Sequence, residues 1–194
     1  MYDVFFDYLK TYSSEPLSED EKLLIQKALT PAKLRKRQFL LQAGNLCKHS
    51  AFITKGAMRQ YTVDDKGTEH ITSLGIENWW MGDRESMMMR TPSIYNIDAW
   101  EDTELLLITR ADSQELIRTV PAFCEMKNLL DQKSNIAHLK RINATISCPA
   151  EKRYIDFASR YPKLLERFPQ HLIASYLGIS KDTLSRVKSQ SLRK

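Results

Sequence analysis

The segment from Gln170 to Lys188, QHLIASYLGISKDTLSRVK, has the fewest folding options of any part of the chain. Ile173, Leu177, Ile179, Leu184 and Val187 fall where two short helices crossing at a tight turn must bury apolar groups. Ala174 is small where the two helices would approach, and Gly178 stands where the turn needs a positive φ that a Cβ penalises. Ser180 can accept from a backbone N–H in the first turn of the second helix, and Asp182 sits near that helix's positive end. The pattern predicts a helix-turn-helix.

On the second helix, at about 100° per residue, Leu184 and Val187 define the buried side. Asp182, Ser185, Arg186 and Ser189 lie away from it, flanked by Lys181 and Lys188. Such a face suits the major groove of DNA, because Arg can pair in bidentate fashion with guanine and Asp can accept from the N4 of cytosine. The candidate DNA-binding set is therefore Ser180, Lys181, Asp182, Thr183, Ser185, Arg186, Lys188 and Ser189. A helical hairpin with a merely solvated polar face is the alternative. Charge argues against it: residues 1–149 carry 19 basic and 20 acidic side chains, whereas residues 150–194 carry 10 and 4. A nucleic-acid surface shows as such a local excess.

The chain ahead of this segment reads differently. The first thirty residues hold a helical pattern, with Leu17, Leu24 and Ile25 on one side, Ser18 ahead of the acidic turn Glu19, Asp20 and Glu21, and Pro31 as the expected stop. From Ala32 to about Arg110, the β-type runs LRKRQFLLQ, AFITK, MRQYTV and EHITSL are separated by AGN, Gly56 and DDKG, which suggests a small antiparallel sandwich or barrel. Tyr95, Ile97 and Ala99 alternate with Asn96, Asp98 and Trp100, the period of a strand with one buried face. Leu105 to Ile108 is apolar on both faces, so this strand should be covered on both.

After Arg110 the period becomes helical, and 26 residues from Ala122 to Ser147 contain neither Gly nor Pro. That permits a helix of about 39 Å at 1.5 Å per residue. Leu129, Ile136, Leu139, Asn143 and Ile146 recur along it close to a heptad seam, as expected where two copies pair into a homodimer. Packing on its own domain is the alternative. Cys148 and Pro149 interrupt the helix where the charge changes, which divides the chain into residues 1–120, 121–148 and 149–194.

Other chemistries find little support. Cys47, Cys124 and Cys148 form no CxxC pair, and His49, His70, His138 and His171 form neither HxH nor HExxH, so no metal site is expected. No run approaches the length of a membrane span, and the N-terminus lacks a secretory pattern, so a cytoplasmic address is expected.

In the order of these segments the chain resembles the Crp-Fnr family of bacterial regulators. IASYLGISKDTLSRVK is similar to the family's helix-turn-helix, while LLQAGN, FITKGAMRQYTVDDKG and MGDRESMMMRTPSIYNIDAWEDTELLLI follow the order of its sensor domain. The resemblance implies an α+β fold: an N-terminal antiparallel β-roll (a double-stranded β-helix of cyclic-nucleotide-binding type), a long dimerisation helix and a C-terminal helix-turn-helix domain. It implies a non-enzymatic transcriptional regulator that reads an inverted repeat in double-stranded DNA, with Lys181, Asp182 and Arg186 reading bases and RNA polymerase as a further partner. The same layout implies an effector pocket bordered by Trp79, Trp80, Gly82, Asp83, Glu85, Ser86, Ser93 and Tyr95.

Two departures qualify the resemblance. Members that bind cyclic AMP pair its phosphate with an arginine where this chain reads Thr91, Pro92, Ser93 and Ile94, so Arg84 or Arg90 would have to be redirected, and cyclic AMP is not expected as the effector. Between Ala150 and Gln170 there is room for one helix, YIDFASRY, and a Pro-flanked link, but little for the β-hairpin wing common in the family. The clustered N-terminal cysteines of iron-sulfur members and an axial pair for haem are also absent. Two readings compete: a ligand-sensing β-roll that acts through protein partners, and a cupin-like metal enzyme, whose closely spaced His and Glu ligands the sequence lacks.

Overall fold

The computed structural model describes residues 1–13 and 15–191, so the last three residues of the C-terminal unit lie outside the described residues. Two helices, α1 (Tyr2–Lys10) and α2 (Glu19–Ala28), precede the strands β1 (Thr30–Leu34), β2 (Phe39–Leu41), β3 (His49–Lys55), β4 (Met58–Val63), β5 (Glu69–Gly75) and β6 (Trp80–Met81). A short helix α3 (Arg84–Met89) leads to β7 (Asn96–Ala99) and β8 (Thr103–Thr109). The rest is helical: α4 (Arg110–Thr119), α5 (Pro121–Ser147), α6 (Ala150–Arg160), α7 (Pro162–Arg167), α8 (Gln170–Leu177) and α9 (Lys181–Ser191).

The strands form two four-stranded sheets, ordered β1-β8-β3-β6 and β2-β7-β4-β5, with every pairing antiparallel. Leu41, Ala51, Ile53, Met58, Met81, Ile97 and Leu105 fill the roll between them. Phe52, Leu106 and Ile108 face the other way and meet Phe5 and Leu9 of α1, Ile25 of α2 and Phe123 of α5, with the Phe5 and Phe52 rings 4.9 Å apart. This explains why β8 is apolar on both faces: one side belongs to the roll and the other to a helical layer.

Several sequence expectations need revision. The N-terminal helical pattern is two helices, and α2 carries the full capping box of Ser18 and Glu21 but stops at Ala28. Pro31 does not end it; Pro31 lies in β1 at the edge of its sheet, where a missing N–H is tolerated. The run LRKRQFLLQ is interrupted, because Arg37 takes a left-handed φ of 70° and donates its N–H to the Ala99 carbonyl at 2.7 Å. On β7, Asp98 is only 3% exposed although the alternation placed it in solvent. Arg59 accounts for this by donating from Nε and Nη2 to the two Asp98 oxygens at 2.9 Å each. Helix α5 runs from Pro121 to Ser147 and breaks at Cys148 and Pro149 as expected, whereas the Pro-flanked link of residues 161–169 folds partly as α7.

Candidate nucleic-acid interface

The turn between α8 and α9 follows the local rules its residues suggest. Gly178 adopts φ 65° and donates to the Ser175 carbonyl, and the Ile179 N–H reaches Ala174 O at 3.0 Å, which closes the end of α8. Ser180 Oγ accepts from the Thr183 N–H at 3.1 Å and shares a 2.8 Å contact with the Thr183 hydroxyl. Leu184 and Val187, 1% and 4% exposed, pack with Tyr154, Phe157, Leu164, Leu172, Ile173 and Ala174.

Burying those two residues turns the rest of α9 outward. Lys181, Asp182, Ser185, Arg186, Lys188 and Ser189 are all exposed, and Thr183 is half-buried. Ser189 Oγ donates back to the Ser185 carbonyl, so that hydroxyl is partly engaged. The eight residues predicted for DNA therefore lie together, with Ser180 and Thr183 also forming the cap that starts the helix.

The C-terminal helices do not stand apart from the roll. Ser175 Oγ accepts from the Ile71 N–H at 2.9 Å and donates to Glu69 O at 3.2 Å, so α8 is bonded to β5. Arg141 of α5 donates to Thr72 O at 2.6 Å and Tyr176 O at 3.1 Å while its guanidinium lies 4.2 Å from the Tyr176 ring centre. Arg167 of α7 donates to both oxygens of Glu101 and to Glu77. Burial alone would push the Glu77 carboxyl up, but the Arg167 guanidinium and the Gly56 N–H outweigh it and hold the group below its usual range. Trp100 completes the contact against Phe168 and His171, at 6.3 and 6.5 Å between ring centres. These residues escaped sequence reasoning because their partners are distant along the chain; Ile71 and Leu74, apolar positions of β5 that pack on the C-terminal helices, were the available signal.

The suggested effector residues are divided. Trp79 packs edge-on against Tyr161 at 5.7 Å, whereas Trp80 joins Phe5 and Phe52 in the helical layer, with its indole N–H buried and unbonded. Asp83 caps α3 by accepting from the Glu85 and Ser86 N–H groups, Ser86 donates to Thr91 O at 2.6 Å, and Ser93 accepts from the Tyr95 N–H. Gly82 is half-buried and Glu85 exposed. Arg84 is paired with Asp131 of α5 at 3.0 Å, and Arg90 is exposed at the end of α3. A cavity of about 110 Å³ beside this loop is lined instead by Leu40, Leu41, Leu46, Cys47, Lys48 and His49. Burial pushes the Cys47 thiol up. Among the described residues no group of three His, Cys, Asp or Glu side chains is arranged to hold a metal, and no helix is long and apolar enough to cross a membrane.

Residues 31–120 match the family model described as the cyclic nucleotide-binding domain. Among solved structures, FixK2 from Bradyrhizobium japonicum is similar with a TM-score of 0.70 at 16% identity, over 84% of this chain and 83% of that one. A putative Crp/Fnr-family transcriptional regulator from Eubacterium rectale gives 0.63 at 18% identity, over 90% and 83%. The c-di-GMP-responsive global regulator CLP of Xanthomonas campestris gives 0.67 at 12% identity, over 91% and 92%. No curated protein sequence matches. At these identities the likeness establishes a shared fold.

Proposed function

We propose that this chain, a cyclic-nucleotide-binding-type domain joined to a helix-turn-helix in the Crp/Fnr arrangement, is a sequence-specific DNA-binding transcriptional regulator that works as a homodimer. The observation that carries the reading is α9: two buried residues hold it against its domain and leave Lys181, Asp182, Ser185, Arg186 and Lys188 as one exposed strip. A helix offering a carboxylate, a hydroxyl and a guanidinium side by side can read base edges, and the flanking lysines meet phosphates. A two-fold dimer presents two such helices, so its operator is an inverted repeat with half-site centres about 34 Å apart. The effector is a small molecule other than cyclic AMP, RNA polymerase is the partner that the family arrangement implies, and the protein itself catalyses nothing.

The test is to select bound sites from random duplexes and titrate variants against the selected and a scrambled site. Arg186→Ala should cost about 1–3 kcal/mol and relax preference at one base pair per half-site, as expected for loss of a bidentate guanine contact. Lys188→Ala should weaken all sequences alike and reduce the salt slope by about 0.9, the signature of one lost phosphate contact. If Arg186→Ala changes neither affinity nor base preference, α9 does not read the groove, and a sensor acting through protein partners becomes the better reading.

A further inference from the structure

Apolar walls, open volume and an unpaired cation coincide at the loop that joins β2 to β3. The cavity of about 110 Å³ lined by Leu40, Leu41, Leu46, Cys47, Lys48 and His49 adjoins a broader open groove of about 530 Å³, and Leu40, Leu41, Leu46 and Lys48 border both. The groove falls within the range of about 300–1,000 Å³ usual for small-molecule sites. None of the eight residues that the family layout suggests for an effector borders either volume. Strand β2 is the outer strand of its sheet, and its register against β7 shifts between Phe39 and Leu41, which leaves Leu40 without a partner on β7. Such a bulge re-aims the chain at a sheet edge. The loop beyond it is fixed from behind: Gly44 N–H donates to Ser93 O at 2.7 Å, Ser93 N–H to Asn45 O at 2.9 Å, and Cys47 N–H to Ser86 Oγ at 2.9 Å. Bonded backbone therefore keeps the volume from collapsing, while Phe39 and Leu46 stay 43% and 47% exposed at its rim. Apolar side chains held in water around a fixed hollow favour an apolar occupant.

The charge at the rim sets the other end of that occupant. Lys48 is exposed and, among the described residues, has neither an ionic nor an aromatic partner. Residues 22–63 contain no Asp or Glu that could neutralise it. Asp83, whose N–H donates to Cys47 Sγ at 3.3 Å, spends its carboxylate on the Glu85 and Ser86 N–H groups and borders neither volume. A single ammonium is a point charge that suits a monoanion, whereas a phosphate calls for further cations or the planar fork of arginine. Size limits the chain: a cavity of about 150 Å³ takes benzene, so the inner cavity takes about four carbon atoms. Because Lys48 borders both volumes, a charged group beside it stands where a chain leaves the inner cavity for the groove.

From this juxtaposition we infer that the β2–β3 loop is an effector site for a small alkyl carboxylate, its chain against Leu40, Leu41, Leu46 and Cys47 and its carboxylate on Lys48. The site has a route to the rest of the molecule. Cys47 is bonded to Asp83 and Ser86 at the start of α3, and Arg84 of the same helix pairs with Asp131 of α5 at 3.0 Å. A ligand that shifts the loop therefore shifts α3 against the helix that leads to the DNA-binding unit. The inference rests on the proposed regulatory function in one respect, that occupancy is read out as a change in DNA affinity; the binding itself does not depend on it.

The experiment titrates the full chain with sodium hexanoate, followed by calorimetry and by backbone amide shifts, beside hexanol and hexylamine, which carry the same chain with no charge or with the opposite one. Hexanoate should bind saturably, shift the amides of residues 40–49 most, and bind about tenfold more tightly than the alcohol, while the amine should not bind. Lys48→Gln, a change at an exposed residue, should weaken hexanoate about tenfold and leave the alcohol unaffected. On the selected duplex, hexanoate should change the affinity of the wild type about fivefold, and Asp131→Asn should abolish that change while hexanoate still binds. The absence of saturable hexanoate binding, or binding that maps away from residues 40–49 or ignores Lys48→Gln, overturns the inference. Binding that leaves DNA affinity unchanged overturns the effector role. A wild type that takes hexanoate at this loop yet binds no selected duplex sinks the DNA-binding proposal and leaves the ligand site standing.

Discussion

Two aspartates show how far residue-level rules reach. Asp64 is exposed and sits in a turn, where His70 together with the Thr68 and Lys66 N–H groups holds its carboxyl at about 2. Everything it needs lies within six residues, so the sequence run DDKG already marks the turn. Asp98 is buried, and its partner Arg59 comes from a neighbouring strand. Burial works against the charge on Arg59, but Asp98 and Glu69 outweigh it, and burial followed by Asp98 pushes the Tyr61 hydroxyl up to about 12. The same contrast separates Gly178 and Ser180, whose roles follow from spacing alone, from Trp79 and Trp80, whose partners Tyr161, Phe5 and Phe52 no spacing reveals. Ser93 leads to a prediction at this scale. It is 3% exposed and spends its oxygen on the Tyr95 N–H, Asp83 is committed to capping α3, and Arg84 is paired with Asp131. A cyclic phosphate placed here would have no cation to compensate its desolvation. Titration calorimetry with cyclic AMP should record no saturable heat at micromolar nucleotide, and a micromolar dissociation constant would mean that Arg84 or Arg90 turns to meet the ligand.

Among the elements, α5 changes character along its length. Its first two turns bury Ala122, Phe123 and Met126 against α1 and β3, and beyond them the helix leaves the core. Leu139 is 67% and Ile146 80% exposed, with Leu129, Ile136 and Ile142 exposed beside them. A single chain has no use for such a row of aliphatic side chains in water, and a second copy of the same helix would cover it. Leu139→Asp with Ile146→Asp should therefore convert a dimer in sedimentation velocity into a monomer with an unchanged circular dichroism spectrum. A double variant that still sediments as a dimer would place the interface elsewhere. This helix was legible because the absence of Gly and Pro over 26 residues is a property of the sequence itself. The strand expected over LRKRQFLLQ was not, since its interruption at Arg37 depends on a hydrogen bond to Ala99 on β7. Helix α7 was likewise hidden: a six-residue helix between prolines has too few turns to display a period.

Across the whole molecule, the roll and the C-terminal helices meet through Arg141, Arg167, Ser175 and Trp100, a contact that no local pattern announces. The Arg167 clamp makes part of it sensitive to acid. Glu77 has its carboxyl pKa depressed in the folded protein, so its contribution is present above the ordinary glutamate value of about 4.3 and is lost as pH falls below that value. The Ile71 N–H, bonded to Ser175, reports on the contact directly. Its hydrogen exchange, corrected for intrinsic rate, should accelerate as pH drops below about 4, and Arg167→Gln should produce the same acceleration at pH 7. Protection that is unaffected by both would show that the clamp does not hold the units together. The bonds of Ser175 and Arg141 to residues 69–72 have one more consequence. Strand β5 is the last in its sheet, and an uncovered outer strand is a template on which a second chain can add its own. By occupying the Ile71 N–H and the Glu69 carbonyl, α8 blocks the addition of a foreign strand where Arg141 of α5 covers only the Thr72 carbonyl, and a chain shortened before Ala150 should lose solubility as that part of the edge is bared.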